Sequence, residues 1–440
     1  MRRVGKEQNR NEEAADNRSS LLHLNDDVLS LIVDYLEVFQ QFELSQLHSR
    51  LLNVVQALWR TRVRNVELLD EEMLGVSSRQ FQAFITALTP HVEQLNCQRL
   101  DVRRLRQLSD GSLNRVTQLE WIRGKCDRRG RLRFVDEDVR LLKRLCPGLR
   151  QLTLRGCQVT GKYLCELQQL EELCLDECEC LKSKHFRDIF RQLKLRKFDI
   201  MDNCDEVNCC DLVQLCPTLE NIKIADYHLC METDITQELL QLPHLRELSI
   251  YSKNFVFDVL ERIARPRVNH GKLIEGVRFN GLLHDYGRFF RELGNLHQLR
   301  RLEIKGILDE GMLQRLNNQM LEQLAPQLPE LQQLHISGYQ MESDAPLLKF
   351  VSNCRQLRIL DVNGTRCGGD AFVERCLALL AKQSWRSHPL ELWILCSDIS
   401  YDILKSQRYL IDEKLLRIYN NRMLTGQDHL PNVLKFSFVR

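Results

Sequence analysis

No sign of charge prevails in this chain: 62 Lys and Arg stand against 60 Asp and Glu, a net charge of +2. That balance creates no overall field toward nucleic acid or an anionic membrane, so neither is expected as a partner. Long apolar runs are also missing, and nothing reads as a membrane-spanning helix. Residues 1–20 (with Arg2, Arg3, Lys6, Glu12 and Glu13) lack the apolar core of a secretion signal and are expected to form a disordered polar tail. Catalytic patterns are lacking as well. There is no Gly-x-Ser-x-Gly elbow and no dinucleotide fingerprint, and the 12 histidines form no pair at metal-ligand spacing on a helix. The expectation is a non-catalytic protein that needs no cofactor and no metal.

What the chain does have is 440 residues, 43% of them hydrophobic, and 17 cysteines. An odd cysteine count in a long chain without a secretion signal fits free, buried thiols in the cytoplasm or nucleus better than a secreted disulfide scaffold. The dominant pattern is a recurring Leu-x-x-Leu-x-Leu unit, clearest at Leu149-Arg-Gln-Leu152-Thr-Leu154 and Leu170-Glu-Glu-Leu173-Cys-Leu175. Its first apolar positions fall at Val92, Val116, Leu149, Leu170, Leu195, Leu219, Leu245, Ile274, Leu299, Leu331, Leu357 and Leu390. Most spacings are 21 to 29 residues and three are longer, the range of a leucine-rich repeat with occasional extra loop.

Each unit predicts a short strand whose second and third apolar residues point into a core, then a turn and an amphipathic helix such as Lys184–Leu193 or Gly287–Leu299. Prolines 147, 217, 243, 329 and 389 sit just before strands, where they end the preceding helix. Val63-Arg-Asn-Val66-Glu-Leu68 is expected to open the array. Val433-Leu-Lys-Phe436-Ser-Phe438 is expected to close it, after a capping helix over Ile403–Met423. The fold class is therefore α/β: a leucine-rich-repeat solenoid over 61–440, with parallel strands on the concave face and helices on the convex face.

Cys146-Pro-Gly-Leu149 and Cys216-Pro-Thr-Leu219 resemble the start of cysteine-containing leucine-rich repeats. Cys157 and Cys178 fall at that subtype's small-residue position after the strand, with Asn203 at the equivalent place one unit on. The subtype is most familiar from F-box proteins, and residues 21–60, which do not follow the repeat, resemble an F-box. Leu24, Asp27, Val28, Leu29, Ile32, Tyr35 and Leu36 match its first half in order, and Phe42, Ser45, Leu47, Ser49 and Arg50 its second. Asn25 replaces the usual proline, and Leu51 stands where tryptophan is usual, with Trp59 two turns later. Asn25 is also a natural helix N-cap, followed by Asp26 and Asp27 at the positive end of the dipole.

The helix beginning there is apolar almost all round and wants two buried faces. The resemblance implies a small all-α F-box-like unit over 21–60 that docks a Skp-type adaptor of a cullin complex through Leu24, Val28, Leu29, Ile32, Leu36 and Leu47. The repeats would then hold an unknown protein substrate for ubiquitination. The alternative is a leucine-rich-repeat adaptor or scaffold in which 21–60 merely caps the array.

Outward strand positions offer the candidate substrate-facing residues: Asp176, Asp199, Met201, Lys223, Tyr251, Arg278, Lys305 and His335. An arginine-rich stretch with Arg123, Lys125, Arg128, Arg129, Arg131 and Arg133 is a candidate anion-binding loop, since clustered guanidinium groups bind phosphate in pairs of hydrogen bonds. Arg103, Arg104 and Arg106 extend it in sequence. Gly156-Cys-Gln-Val-Thr-Gly161-Lys162 imitates a phosphate-binding loop but continues with Tyr163 where Ser or Thr is needed. Cys174, Cys178, Cys180, Cys204, Cys209 and Cys210 match zinc-knuckle spacing only loosely.

Overall fold

The computed structural model describes residues 21–69, 72–73, 75–123, 133–201, 212–225, 239–251, 260–261, 273–280, 286–306, 314–400, 412–420 and 433–439. The chain divides into two compact units, Met1–Leu170 and Glu171–Arg440.

The first unit begins with three helices: α1 (Asp26–Asp34), α2 (Val38–Ser45) and α3 (Ser49–Arg62). Asn25 caps α1 as its sequence predicts, its side chain accepting from the Val28 amide at 2.9 Å. Arg50 ties α3 to the start of α1, donating to Asp26 Oδ1 at 2.7 Å and to the Leu24 carbonyl at 2.7 Å. Trp59 is buried and donates its indole N–H to Gln41 at 2.7 Å, and Gln41 in turn donates to the Leu36 carbonyl. Leu51 is buried too, so the position where tryptophan is usual is filled by a smaller apolar side chain.

Four parallel strands follow, β1 (Asn65–Leu69), β2 (Gln94–Gln98), β3 (Gln118–Ile122) and β4 (Gln151–Arg155). Their register is unbroken. Val66, Leu95, Leu119 and Leu152 form one buried row, and Leu68, Cys97, Trp121 and Leu154 form the next. Each fully buried leucine of this kind contributes about 1.5–3 kcal/mol relative to exposure. Helices α4 (Ser78–Leu88), α5 (Val102–Arg106) and α6 (Asp136–Leu145) connect the strands. Phe39 and Phe42 of α2 pack against Phe84 of α4 at centroid distances of 5.1 and 5.5 Å, so the helical segment covers the first repeat. Asp138, almost fully buried, accepts two bonds from Arg106 (2.7 and 2.9 Å) and one from the Val135 amide, joining consecutive repeats.

The second unit carries β5 (Glu172–Asp176), α7 (Ser183–Gln192), β6 (Lys197–Met201), α8 (Leu212–Leu215), β7 (Asn221–Ala225), β8 (Glu247–Tyr251), β9 (Leu273–Asn280), α9 (Tyr286–Gly294) and β10 (Arg301–Lys305). It continues with β11 (Gln314–Arg315), α10 (Asn318–Leu324), β12 (Gln333–Ser337), β13 (Tyr339–Gln340), α11 (Ala345–Asn353), β14 (Ile359–Asp361), α12 (Asp370–Ala381), β15 (Leu390–Trp393), β16 (Leu416–Tyr419) and β17 (Val433–Val439). The short pair β11–β13 lies apart from the main sheet. Helix α7 falls within a residue of expectation, whereas α9 stops at Gly294 and leaves a turn before Leu299. Every expected first apolar position, from Val63 to Leu390, is buried.

Three expectations need correction. Leu390 is not the first apolar position of its unit: Leu392 pairs with Leu360, so the true register is one residue earlier than the periodicity implied and puts Pro389 at the first position. The helix expected over Ile403–Met423 is not present in residues 412–420, where β16 pairs in parallel with β15; residues 401–411 and 421–432 lie outside the described set. Most notably, β17 does not close the array. It runs antiparallel between β8 and β9, with a bulge at Ser437/Phe438. A strand there satisfies backbone groups on two neighbours instead of one, which an end position cannot offer.

Candidate functional site

Two surfaces follow from these elements, one in each unit. On the first, α1 presents opposite apolar stripes. Leu29 and Val33 are fully buried, while Val28, Leu31, Ile32 and Tyr35 face solvent. Tyr35 is 91% exposed and Leu31 58%, and Leu47 beyond α2 is 74% exposed. Of the residues expected to dock an adaptor, Leu24, Val28, Ile32 and Leu47 are exposed and Leu36 is half-buried. Leu29 is the correction: with no exposed surface it belongs to the core of the helical segment and meets no partner. Leu31 and Tyr35 were missed, although their spacing from Val28 and Ile32 places all four on one helical face.

On the second surface the central outward row keeps its expected register: Cys174, Asp199, Lys223 and Ser249 pair in turn across β5 to β8. Lys435 of β17 then lies opposite both Ser249 and Arg278, and Glu303, His335, Asp361 and Trp393 follow. The charges along this row pair with one another. Lys223 lies 4.0 Å from Asp199, Arg278 donates to Glu303 at 2.7 Å, and His335 Nδ1 lies 3.1 Å from Asp361, with both members buried. Such lateral pairs hold neighbouring strands in register. Asp176 is buried and Lys305 exposed. Met201 and Tyr251 occupy strand positions, but their side chains lie outside the described set. Burial, with the negative charges of Asp199 and Asp176, lifts the Cys174 thiol well above the usual range. Trp393 stacks on Tyr419 with ring centroids 4.6 Å apart.

Of the arginine-rich stretch, only Arg123 and Arg133 lie among the described residues; Lys125, Arg128, Arg129 and Arg131 lie outside them. Arg104 and Arg106 do not extend it. The first donates to the Met73 and Val76 carbonyls, and the second is taken by Asp138. The Gly156–Lys162 segment is unsuited to phosphate: its Thr160 amide and hydroxyl donate to Asp136, an acidic group where a phosphate would need donors. Cys178 Sγ points at the Asp176 carbonyl at 3.4 Å, while Cys204, Cys209 and Cys210 lie outside the described residues. Among the described residues no trio of His, Cys, Asp or Glu is placed to hold a metal ion, and no helix is long and apolar enough to cross a membrane.

With one parallel strand per buried Leu-x-x-Leu-x-Leu unit, the repeat is of leucine-rich type. No known family pattern matches the chain, and neither does any curated protein. Among solved structures, a leucine-rich-repeat protein of Leptospira interrogans is similar at 15% identity, over 80% of this chain and 95% of that one, with a TM-score of 0.33.

Proposed function

We propose that this chain is the substrate-recognition subunit of a Skp–cullin–F-box type ubiquitin ligase, with residues 21–60 docking the adaptor and the repeats holding the substrate. The observation that carries the reading is the apolar face of Val28, Leu31, Ile32 and Tyr35, left in solvent with Leu24 and Leu47 also exposed, while Leu29 and Val33 of the same helix are fully packed. Exposed apolar side chains concentrated in this way characterise a protein-binding surface. In this role the chain does no chemistry itself. It raises the effective concentration of substrate lysines near a charged ubiquitin-conjugating enzyme. Cytoplasm or nucleus is the matching compartment.

A second reading, a leucine-rich-repeat scaffold with a helical cap, draws on the packing of Phe39 and Phe42 against Phe84. Capping uses Phe39 and Phe42 of α2 and docking the Val28 side of α1, so the outward face alone separates the two. Co-expression with a Skp-type adaptor followed by size-exclusion chromatography is the test. The ligase reading expects co-elution that Ile32→Asp weakens by at least roughly 30-fold, as loss of an interface hot spot does. Separate elution of the unmodified chain and adaptor supports the scaffold instead.

A further inference from the structure

The strands of the first unit carry an outward surface that the candidate substrate-facing residues, all from Asp176 onward, leave out. Over β1 to β3 the first strand position is an amide each time: Asn65, Gln94 and Gln118 stand in register. The next outward row, also in register, is Glu67, Asn96 and Glu120. These residues line a concave groove of about 450 Å³ that continues onto β4.

The middle row differs from its counterpart in the second unit in one decisive respect. There, acidic and basic side chains alternate and pair. Here, among the described residues, neither Glu67 nor Glu120 has a cationic partner. Between them the side-chain oxygen of Asn96 is enclosed without a hydrogen-bond partner, a costly state for a buried acceptor. The nearby Glu72 carboxyl is lifted by burial and by the negative charges of Glu37 and Glu67, consistent with an acidic field not neutralised at this edge.

We propose that this groove binds an extended peptide segment of a partner protein through an arginine side chain seated over Asn96, between Glu67 and Glu120. A guanidinium carries five donors and no acceptor, complementing the two carboxylates that flank Asn96. The two carboxylate-bearing strands are two sheet spacings apart, about 10 Å, so that both acidic side chains reach toward one planar cation at the centre. Four strands span about 14 Å, the length of roughly four extended residues. The flanking amides carry both donors and acceptors and match a peptide main chain crossing them. Nucleic acid is disfavoured, because its phosphates would meet unpaired carboxylates. The inference rests on the substrate-recognition role of the repeats and is independent of the ligase role.

The test uses the full chain on a cellulose-bound nonapeptide array with randomised flanks and Arg, citrulline, Lys, Glu or Leu at the centre. Citrulline keeps the shape of arginine and removes its charge. The expected result is roughly tenfold more protein retained on Arg than on citrulline centres, the scale of one charge-assisted recognition. The Glu67→Gln/Glu120→Gln double variant brings that ratio to about one. Equal retention on Arg and citrulline by the unmodified chain overturns the proposal, as does an unchanged ratio in the double variant. Should that variant misfold by circular dichroism, Asn96→Asp decides: added negative charge must raise the Arg preference, and a ratio that stays the same or falls sinks the idea. No adaptor is present on the array, so this outcome is separate from that of the co-elution experiment.

Discussion

Cysteine shows most directly how residue chemistry follows position here. Cys146, Cys216 and Cys354 sit where a helix gives way to the next strand, buried, with Sγ directed at backbone carbonyls: Leu142 for Cys146, Leu195 for Cys216 and Leu328 for Cys354. A small, weakly donating side chain fits a site that offers backbone carbonyls and little volume. Burial pushes the thiols of Cys146, Cys354 and Cys376 up to about 12. In the unfolded chain they would ionise near the usual thiol value, so between about pH 9 and 12 the unfolded state releases protons first and stability falls as pH rises. The urea midpoint should therefore hold steady up to pH 8 and decline by pH 10. Replacing these three cysteines with alanine should reduce that decline while lowering the midpoint itself. A pH 8-to-10 drop of the same size in the triple variant would show that the thiols are not its source. Sequence position identified Cys146, Cys157, Cys178 and Cys216 as buried repeat residues, and the structure agrees.

At the level of single elements, periodicity located the strands well and the helix faces badly. The Leu-x-x-Leu-x-Leu pattern has a definite inside and outside, so β1 to β10 could be placed from apolar positions alone. Helix α1 has apolar residues on two stripes, and a helical period cannot say which one packs. Leu29 and Val33 are buried because α3 packs against α1, a tertiary fact absent from the local pattern. Grouping Leu29 with Val28 and Ile32 as docking residues therefore failed. The distinction is measurable. Leu29→Ala should cost about 2–5 kcal/mol of stability in urea denaturation, as emptying a packed leucine site does, while Tyr35→Ser should change it by less than about 0.5 kcal/mol. Similar losses in the two variants would contradict the assignment of faces.

At the scale of the whole molecule, the recurring Leu-x-x-Leu-x-Leu unit forecast a repeat protein, and the buried apolar rows of both units bear that out. The position of β17 was beyond its reach. Val433 to Val439 looks like one more repeat strand, and nothing local reports that its partners are β8 and β9 and that it runs opposite to both. The amide and carboxylate rows over β1 to β3 were legible in principle, because they alternate with the apolar positions, but they yield meaning only once register puts Glu67, Asn96 and Glu120 side by side. Removing residues 432–440 should uncover two unpaired strand edges, which are templates for self-association. Light scattering coupled to size-exclusion chromatography should show dimers or larger species, with a lowered melting temperature. A monomeric truncated protein that melts with the full chain would mean that β17 contributes little.

The insertion of β17 also bears on how the protein is made. Repeats of this kind can form as they leave the ribosome, each on the one before it. Between β8 and β9 that order fails, since the intervening strand is synthesised after β16. Until it arrives, the nascent chain holds two open edges in the middle of its second unit, a contact of high sequence separation and slow closure. Chaperones that shield exposed strands should therefore engage this protein late in translation, at its centre rather than at its growing end.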